Sequence, residues 1–192
     1  MRRCIFAALA AMWLSAGVHA TTVVAPTFET LVAQADAIVE SEVVDTTSRI
    51  APQRDGTPIV TDVYFRVEKV LKGAPASTLI LQFLGGEVGD LGFRVEGVPS
   101  FSKGDRDVLF AITAAPQVSP IVGMMHGRVR IAADVATRQY VVRTFDGTPL
   151  RDLRVLGSTA NQGVLSGRPM TLAAFESAVI GEVARQAKGQ RP

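Results

Sequence analysis

The clearest structural signal in this 192-residue chain is the run Val63-Tyr64-Phe65-Arg66-Val67-Glu68-Lys69-Val70-Leu71. Apolar residues at 63, 65 and 67 alternate with residues of more polar character, and this period of two is typical of a strand with one buried face. Lys72-Gly73 follows, and glycine favours the turn that ends such a strand. We therefore expect a half-buried strand at 63–71.

Further strands are predicted where β-branched and apolar residues lie between turn signals. The run 78–84 is apolar on both faces apart from Gln82, which predicts a central strand. Asp146-Gly147 is a strong hairpin signal and predicts that the strands on either side of it pair. The full set of further strands is 37–47, 78–84, 107–113, 121–131, 139–145 and 150–156.

Two helices are predicted at the ends of this β-rich region. Thr27 can cap a short helix over 27–35, and Thr171 can cap a C-terminal helix for which Gly189 is a stop signal. The order of elements predicts a mainly β protein. We expect a small antiparallel OB-like β-barrel, with a two-layer sandwich as the second choice.

The first twenty residues have the features of a signal peptide. Met1-Arg2-Arg3 is positively charged, 4–18 is almost wholly apolar, and Ala20 is the small residue that a cleavage site requires. We expect removal of 1–20, a single β-rich domain over 21–192, and a periplasmic or secreted product. No transmembrane anchor is expected after cleavage, because no second apolar run of sufficient length occurs.

Cleavage changes the chemistry that the chain can offer. The formal charge of +2 and pI near 9.0 come from Arg2 and Arg3, so the mature chain is neutral, and we expect no nucleic-acid partner. Cys4 and His19 are also lost, which leaves no thiol and one histidine. Cys/His zinc sites, cysteine nucleophiles and disulfides are therefore excluded, and no metal or cofactor is predicted.

The glycine-rich segment 85–92 is the first candidate binding site. Glu87 and Asp90 lie inside it and no helix signal follows, so a phosphate loop is not expected. The glycines either supply positive φ angles at a wide turn or contact a ligand. The candidate binding residues in this part of the chain are Gly85, Gly86, Glu87, Arg94 and Phe101.

Charge is distributed unevenly along the mature chain. Residues 21–62 carry a net charge of −5, whereas 126–168 hold seven arginines and carry +4. Arg128 and Arg130 share one face if their segment is a strand, which makes them candidates for a basic surface that binds an acidic partner or a glycan. The alternative is that the acidic and basic regions neutralise each other within the fold.

No catalytic residue is predicted. His126 is the one side chain suited to proton transfer near neutral pH, but its possible serine partners lie in no Gly-x-Ser-x-Gly motif. These serines are Ser100, Ser102 and Ser166. The expected function is a non-enzymatic exported binding or accessory module for a protein or glycan. A hydrolase that uses His126 is less favoured.

The second hypothesis, favoured over the hydrolase, is a carrier that holds a small apolar ligand inside a barrel. It requires several apolar side chains to line one interior cavity. The side chains on which it depends are Phe83, Phe110, Met124 and Met125.

Three stretches carry a resemblance to a known group of proteins: 35–40, 62–73 and 85–110, the last including Gly85-Gly86, Val98-Pro99-Ser100-Phe101 and Leu109-Phe110. They resemble small exported bacterial proteins of unknown function, some of them associated with matrixin-like metallopeptidases. The resemblance implies a co-exported partner protein, such as a metallopeptidase, and it supplies no active site.

A weaker similarity is to the netrin-like barrel of tissue inhibitors of metalloproteinases, carried by 67–73 and 104–110. Those inhibitors chelate the target's zinc through an N-terminal cysteine. The mature chain has no cysteine, so that mechanism does not transfer. What the similarity implies is a barrel of the oligonucleotide/oligosaccharide-binding type.

Overall fold

One antiparallel sheet of six strands dominates the computed structural model, which describes residues 25–51, 58–113, 118–156 and 167–189. The elements are α1 (Phe28–Gln34), β1 (Ala37–Ile50), β2 (Ile59–Lys72), β3 (Thr78–Leu84), β4 (Gly86–Val88), β5 (Leu91–Phe93), β6 (Arg106–Ala111), β7 (Arg128–Asp134), β8 (Gln139–Arg143), a 3-10 helix (Leu153–Val155) and α2 (Leu172–Gly189). The strand order is β3-β2-β1-β6-β7-β8, and β4 pairs with β5 in a separate hairpin. The prediction of a mainly β, antiparallel fold with a C-terminal helix is confirmed.

Both helices form where the sequence predicts them. The Thr27 side chain accepts a hydrogen bond from the Thr30 N–H and so caps α1, whose residues Phe28, Leu31 and Val32 are buried. In α2, Phe175 and Val179 are buried at helical spacing. The apolar stripes of these two helices are therefore what attaches them to the sheet.

The sheet is buried on both faces. The helix-side core lies under α1 and α2 and includes Leu31, Phe110 and Phe175. Successive strand residues point to opposite faces, so Leu109, the neighbour of Phe110, enters the core on the other side. This second core, the loop-side core, consists of Val39, Val43, Val63, Phe65, Leu81, Phe83, Leu109, Ala111 and Ile121.

The long strands coil strongly without closing the sheet. Register irregularities interrupt the β1–β2 pairing, and bulges of this kind increase twist. The Leu84 N–H of β3 donates to the Val118 carbonyl at 3.0 Å, and Ile121 bridges Ala111 at the end of β6, so 118–121 links two distant parts of the sheet. Strands β3 and β8 are still its edges. The sheet is open, and the barrel and sandwich stay predictions.

The predicted central position of 78–84 is wrong, because β3 is an edge strand. Leu81 and Phe83 point into the loop-side core, and Leu79 packs against it. Ile80 is 55% exposed on the opposite face. The apolar character of the run therefore does not mean that both of its faces are buried.

The hairpin predicted around Asp146-Gly147 is also wrong in its second strand. Strand β8 ends at Arg143, and the turn is present, with a φ of 88° at Gly147. The chain that follows pairs with β8 through an isolated bridge between Arg143 and Pro149 and a hydrogen bond from the Leu150 N–H to the Val142 carbonyl, and it forms no second strand before the 3-10 helix. The Leu150 side chain is fully buried in the helix-side core.

Other boundaries differ from the predictions. The predicted strand 121–131 is a turn followed by β7. Met124, which lies in that turn, has a φ of 64°. Residues 1–20, the predicted signal peptide, lie outside the described residues. Among the helices that are described, none combines the length and the apolarity needed to cross a membrane.

Candidate functional site

A cleft of about 430 Å³ opens between the loop side of the sheet and the β4–β5 hairpin. Strands β1, β2 and β3 form one wall of the cleft. The hairpin and the segment 94–101 form the other wall. The described part of the chain thus has a concave surface large enough for part of a ligand or of a partner chain.

Two hydroxyl groups and two glycines join these walls. The Ser48 and Thr61 hydroxyl oxygens are 2.9 Å apart, and the Thr61 hydroxyl donates to the Gly85 carbonyl at 2.7 Å. Gly85 and Gly86 have φ angles of 110° and 140°, which L side chains rarely adopt. A Cβ on Gly86 would lie 2.6 Å from the Ser48 hydroxyl oxygen and would collide with Thr61 as well. The glycines therefore let the hairpin backbone approach the hydroxyl pair.

The floor of the cleft is apolar and aromatic. Val63 and Phe83 are buried beneath it. The Phe101 ring packs against the rings of Phe65 and Phe83, with centroid distances of 5.2 and 4.9 Å. Edge-to-face and tilted contacts of this kind are favourable for aromatic rings. Phe101 thereby fixes the position of 94–101 over the loop-side core.

The rim of the cleft is exposed and mixed in character. Phe93 lines the cleft and is 42% exposed, and Leu91 on the same strand is 61% exposed. Glu87 and Arg94 add one acidic and one basic side chain, and both are exposed. The rim therefore offers apolar contact area flanked by charges of opposite sign.

Arg128 lies inside the protein and donates hydrogen bonds to the segment 100–107, which follows one wall of the cleft. Its Nε donates to Asp107 Oδ1 at 3.0 Å, and its two terminal nitrogens donate to Asp105 Oδ2 at 2.8 Å and to the Ser100 carbonyl at 2.6 Å. Its guanidinium carbon also lies 4.1 Å from the centre of the Phe101 ring. Only 5% of Arg128 is exposed, so its contacts are internal and position 100–105.

Asp107, which accepts a hydrogen bond from Arg128, is as deeply buried as Arg128 itself. Asp107 is 1% exposed, and among the described residues no group hydrogen-bonds its Oδ2. Burial raises the pKa of the Asp107 carboxyl, while the charge and hydrogen bond of Arg128 act in the opposite direction. Asp107 therefore depends on Arg128 for its compensation.

The predicted basic surface is not assembled from Arg128 and Arg130. Both lie on β7, but Arg128 is buried, whereas the Arg130 side chain is 43% exposed and 3.8 Å from Asp105. Among the described ion pairs, acidic residues before 63 pair with Arg49, Arg66 and Arg106, and arginines between 126 and 168 pair with Asp105, Asp107 and Asp152. In these pairs the two charged regions are neutralised separately, not by each other.

The predicted binding residues therefore divide into two groups. Five of them line the cleft: Gly85, Gly86, Glu87, Arg94 and Phe101. Arg128 supports the cleft from below, and Arg130 is absent from its lining. The sequence did not point to the hydroxyl pair or to Phe93. The alternation of side chains between the two faces of β1 and β2 is the only signal that would have placed the two hydroxyls on one face.

Among the described residues, no side-chain hydrogen bond joins His126 to Ser100 or Ser102. The His126 ring packs edge-on against Phe145 at 5.1 Å between centroids. Burial lowers the pKa of His126, opposed by the nearby charge of Asp146. Ser100 lies beside the cleft, and Ser166 lies outside the described residues. The described residues assemble no His–Ser pair here.

The side chains proposed to line a carrier cavity are not brought together. Phe83 belongs to the loop-side core and Phe110 to the helix-side core, on opposite faces of the sheet. Met124 and Met125 lie in the turn before β7 and are half-buried. The carrier hypothesis therefore loses the arrangement on which it depended.

A second buried charge cluster lies between α2 and the sheet. The Glu40 carboxyl accepts from Arg106 at 2.8 Å, and Lys69 donates to Glu176 Oε2 at 2.6 Å. Among the described residues, no group hydrogen-bonds Glu176 Oε1. Burial raises the pKa of Glu40, and the nearby Glu176 raises it further against the opposing effect of Arg106. The Arg106 guanidinium also lies 4.6 Å from the centre of the Tyr140 ring.

The described residues contain no group of three or more His, Cys, Asp or Glu side chains placed to hold a metal ion. No protein-family model, curated protein or solved structure matches the chain. The resemblance to exported bacterial proteins stays a prediction.

Proposed function

We propose that this chain is a non-enzymatic binding module whose cleft takes up a segment of a partner protein. One observation carries the proposal: five residues selected from the sequence as binding candidates line a single open cleft of about 430 Å³. The cleft combines an apolar floor with a few polar groups, the composition that ligand sites generally have. The cluster around Arg128 fixes one wall, so the cleft is preformed.

The rim favours a protein over a glycan. Leu91 and Phe93 place exposed apolar area beside the cleft, and Glu87 and Arg94 lie near them. Aromatic and aliphatic residues bordered by charges are typical of protein interfaces. The Ser48 and Thr61 hydroxyls hydrogen-bond to each other, and the Thr61 hydroxyl also donates to the Gly85 carbonyl. They therefore have fewer donors and acceptors left for a sugar than free hydroxyls would have.

Export and partner class rest on the sequence. The predicted signal peptide at 1–20 places the module in the periplasm or outside the cell. The resemblance to exported proteins associated with metallopeptidases favours a co-exported partner of that kind. An OB-like barrel would account for the cleft as the space between a coiled sheet and its connecting hairpin.

Site-specific photo-crosslinking tests the proposal. A photoreactive phenylalanine analogue at position 93 is incubated with periplasmic extract of the native host and irradiated. We expect a discrete protein adduct, identified by mass spectrometry, because position 93 is exposed on the cleft rim. The same analogue at position 180, which is exposed on α2, is the control and should give no such adduct.

Two glycine variants connect the adduct to the cleft. Gly86→Ala should reduce its yield at least about tenfold, since the new Cβ collides with the hydroxyl pair in a backbone conformation that costs about 1–3 kcal/mol. Gly92→Ala also changes the cleft lining but meets only the Glu87 side chain at 3.7 Å, so its yield should be unchanged. The proposal is wrong if position 93 gives no adduct, or if the chain binds a panel of immobilised glycans and no protein.

A further inference from the structure

Among the described residues, the rest of the chain covers one edge strand of the main sheet, β8, but most of the other, β3, is not covered. Strand β8 is covered: the Val142 N–H donates to the Met170 carbonyl at 3.0 Å, and the Leu150 N–H donates to the Val142 carbonyl at 3.0 Å. The chain on either side of the 3-10 helix therefore occupies that edge. The edge formed by β3 has no comparable cover from the described residues beyond its last residue, Leu84.

Hydrogen bonds at both ends of β3 establish which backbone groups face outward. The Ser77 carbonyl accepts from β2 at 2.9 Å, and the Gly85 N–H donates to the residue that begins β2 at 2.8 Å. In an antiparallel pair the residues that bond to one neighbour alternate with those that point the other way. The N–H and C=O groups of Thr78, Ile80 and Gln82 therefore point away from the sheet. No described residue provides them with a backbone partner.

The side chains of β3 would not hinder the pairing of another strand with this edge. Thr78–Leu84 contains no charged residue and no proline, and Ile80 is 55% exposed. Natural proteins usually protect an exposed edge with lysine, proline, a bulge or a covering segment, because bare edges recruit other strands. The contrast with β8 indicates that the β3 edge is kept open for pairing.

We propose that β3 pairs antiparallel with β3 of a second copy of this chain, about a two-fold axis at Ile80. In this register the Ile80 N–H of each copy donates to the Ile80 carbonyl of the other, and Thr78 pairs with Gln82 of the other copy. A two-fold axis places the central residue opposite itself, where a charge would repel its own copy. An uncharged isoleucine at the centre, with threonine opposite glutamine, is self-complementary in this sense.

The exposed isoleucine favours a second copy over a strand from another protein. An unrelated peptide would use the outward N–H and C=O groups equally well, but a second copy in this register also brings two exposed Ile80 side chains together on one face, where each removes apolar area of the other from water. The Gln82 side chain is already held by Asp62 at 2.8 Å, on the face away from the loop-side core. Thr78, Ile80 and Gln82 do not line the cleft, so the proposal does not rest on the proposed binding function.

Sedimentation equilibrium of the purified protein over a concentration series tests the proposal. We expect a monomer–dimer equilibrium for the wild type. Ile80→Lys should raise the dissociation constant at least about tenfold, because two ammonium groups would face each other at the axis. Ile180→Lys is the matched control, since Ile180 is 48% exposed on α2, and it should leave the equilibrium unchanged.

Two double variants test the register itself. In the proposed pairing, Thr78→Glu with Gln82→Lys places opposite charges across the axis, and dimerisation should be retained. Thr78→Lys with Gln82→Lys places like charges there and should give a monomer. Circular dichroism confirms folding of each variant. A wild type that stays monomeric up to about 1 mM, or a dimer that survives Ile80→Lys, overturns the proposal.

Discussion

Each side of the main sheet contains one buried charge cluster, and the two clusters differ in how their acidic groups are compensated. On the loop side, the single guanidinium of Arg128 serves Asp105, Asp107 and a backbone carbonyl. On the helix side, Glu40 pairs with Arg106, and Glu176 pairs with Lys69. The first cluster has one buried cation between its acids, whereas in the second each acid has a separate, more exposed cation.

The comparison shows that a buried carboxyl depends both on its cation and on the acids beside it. Arg128 keeps its charge at every accessible pH and is almost wholly buried, so the loop-side cluster depends on that one residue. On the helix side, burial and the neighbouring Glu176 raise the pKa of Glu40, so that cluster responds to pH. The cluster that positions the cleft wall is the one that depends on a single buried cation.

The largest effect is expected from removal of the loop-side cation. Arg128→Met leaves Asp107 buried without its partner and releases the Ser100 carbonyl, so the free energy of unfolding should fall by about 3–5 kcal/mol. Urea denaturation measures the change. Arg130→Met is the control, because that side chain is half-exposed and only 3.8 Å from Asp105, and it should cost about 0–1 kcal/mol. Equal effects of the two variants would contradict the role assigned to Arg128.

A smaller, pH-dependent effect is expected on the helix side. The pKa of Glu40 is raised in the folded protein, so the protonated form is favoured by folding. This contribution is fully present below the pKa of the unfolded chain and is lost as the pH rises through the folded-state pKa. The groups that face Glu40 here are Glu176 from α2, Arg106 from β6 and, through Glu176, Lys69 from β2.

Glu176→Gln isolates this contribution. It removes the acidic neighbour that raises the pKa of Glu40, so the fall in unfolding free energy with rising pH should be shallower than in the wild type. At neutral pH the variant should differ by about 1 kcal/mol or less, since the lost partner, Lys69, is half-exposed. Asp107 titrates in both proteins, so it does not affect the difference. Identical pH profiles would show that Glu176 does not raise the pKa of Glu40.

The smallest effect is expected from an exposed ion pair on the same sheet. Arg49 donates to Asp62 at 3.1 Å across β1 and β2, and the Arg49 side chain is half-exposed. Arg49→Ala should lower the unfolding free energy by about 0–1 kcal/mol, and this small loss should shrink at high salt because exposed charges are screened. A loss as large as that of Arg128→Met would remove the distinction between buried and exposed pairs.

Much of the fold was predictable because its signals are local. The period of two at 63–71 lies within β2, the cap at Thr27 starts α1, and Thr171 precedes α2. Predictions failed where pairing depends on distant residues. The run 78–84 is apolar, but its position at the edge depends on which strands lie beyond it. Asp146-Gly147 forms its turn, but Leu150 is drawn into the helix-side core instead of a second strand.

The candidate site was partly predictable. A cluster of glycines beside Glu87 indicates an unusual backbone, and five candidates did converge on one cleft. Arg128 looked like a surface residue because arginine usually is one. Its burial depends on Asp105, Asp107 and Ser100, which no local pattern connects to it.

By itself, the amino-acid sequence determined most of the strand segments and both main helices, the lack of any thiol after residue 4, and the glycines that permit a close backbone approach. These are properties of single residues and short periods. Only the tertiary structure decided that Gly86 lies against Ser48, that Glu40 lies against Glu176, and that β3 is an edge. The physical reason is that burial and the pairing of charges and strands depend on contacts between residues far apart in the chain.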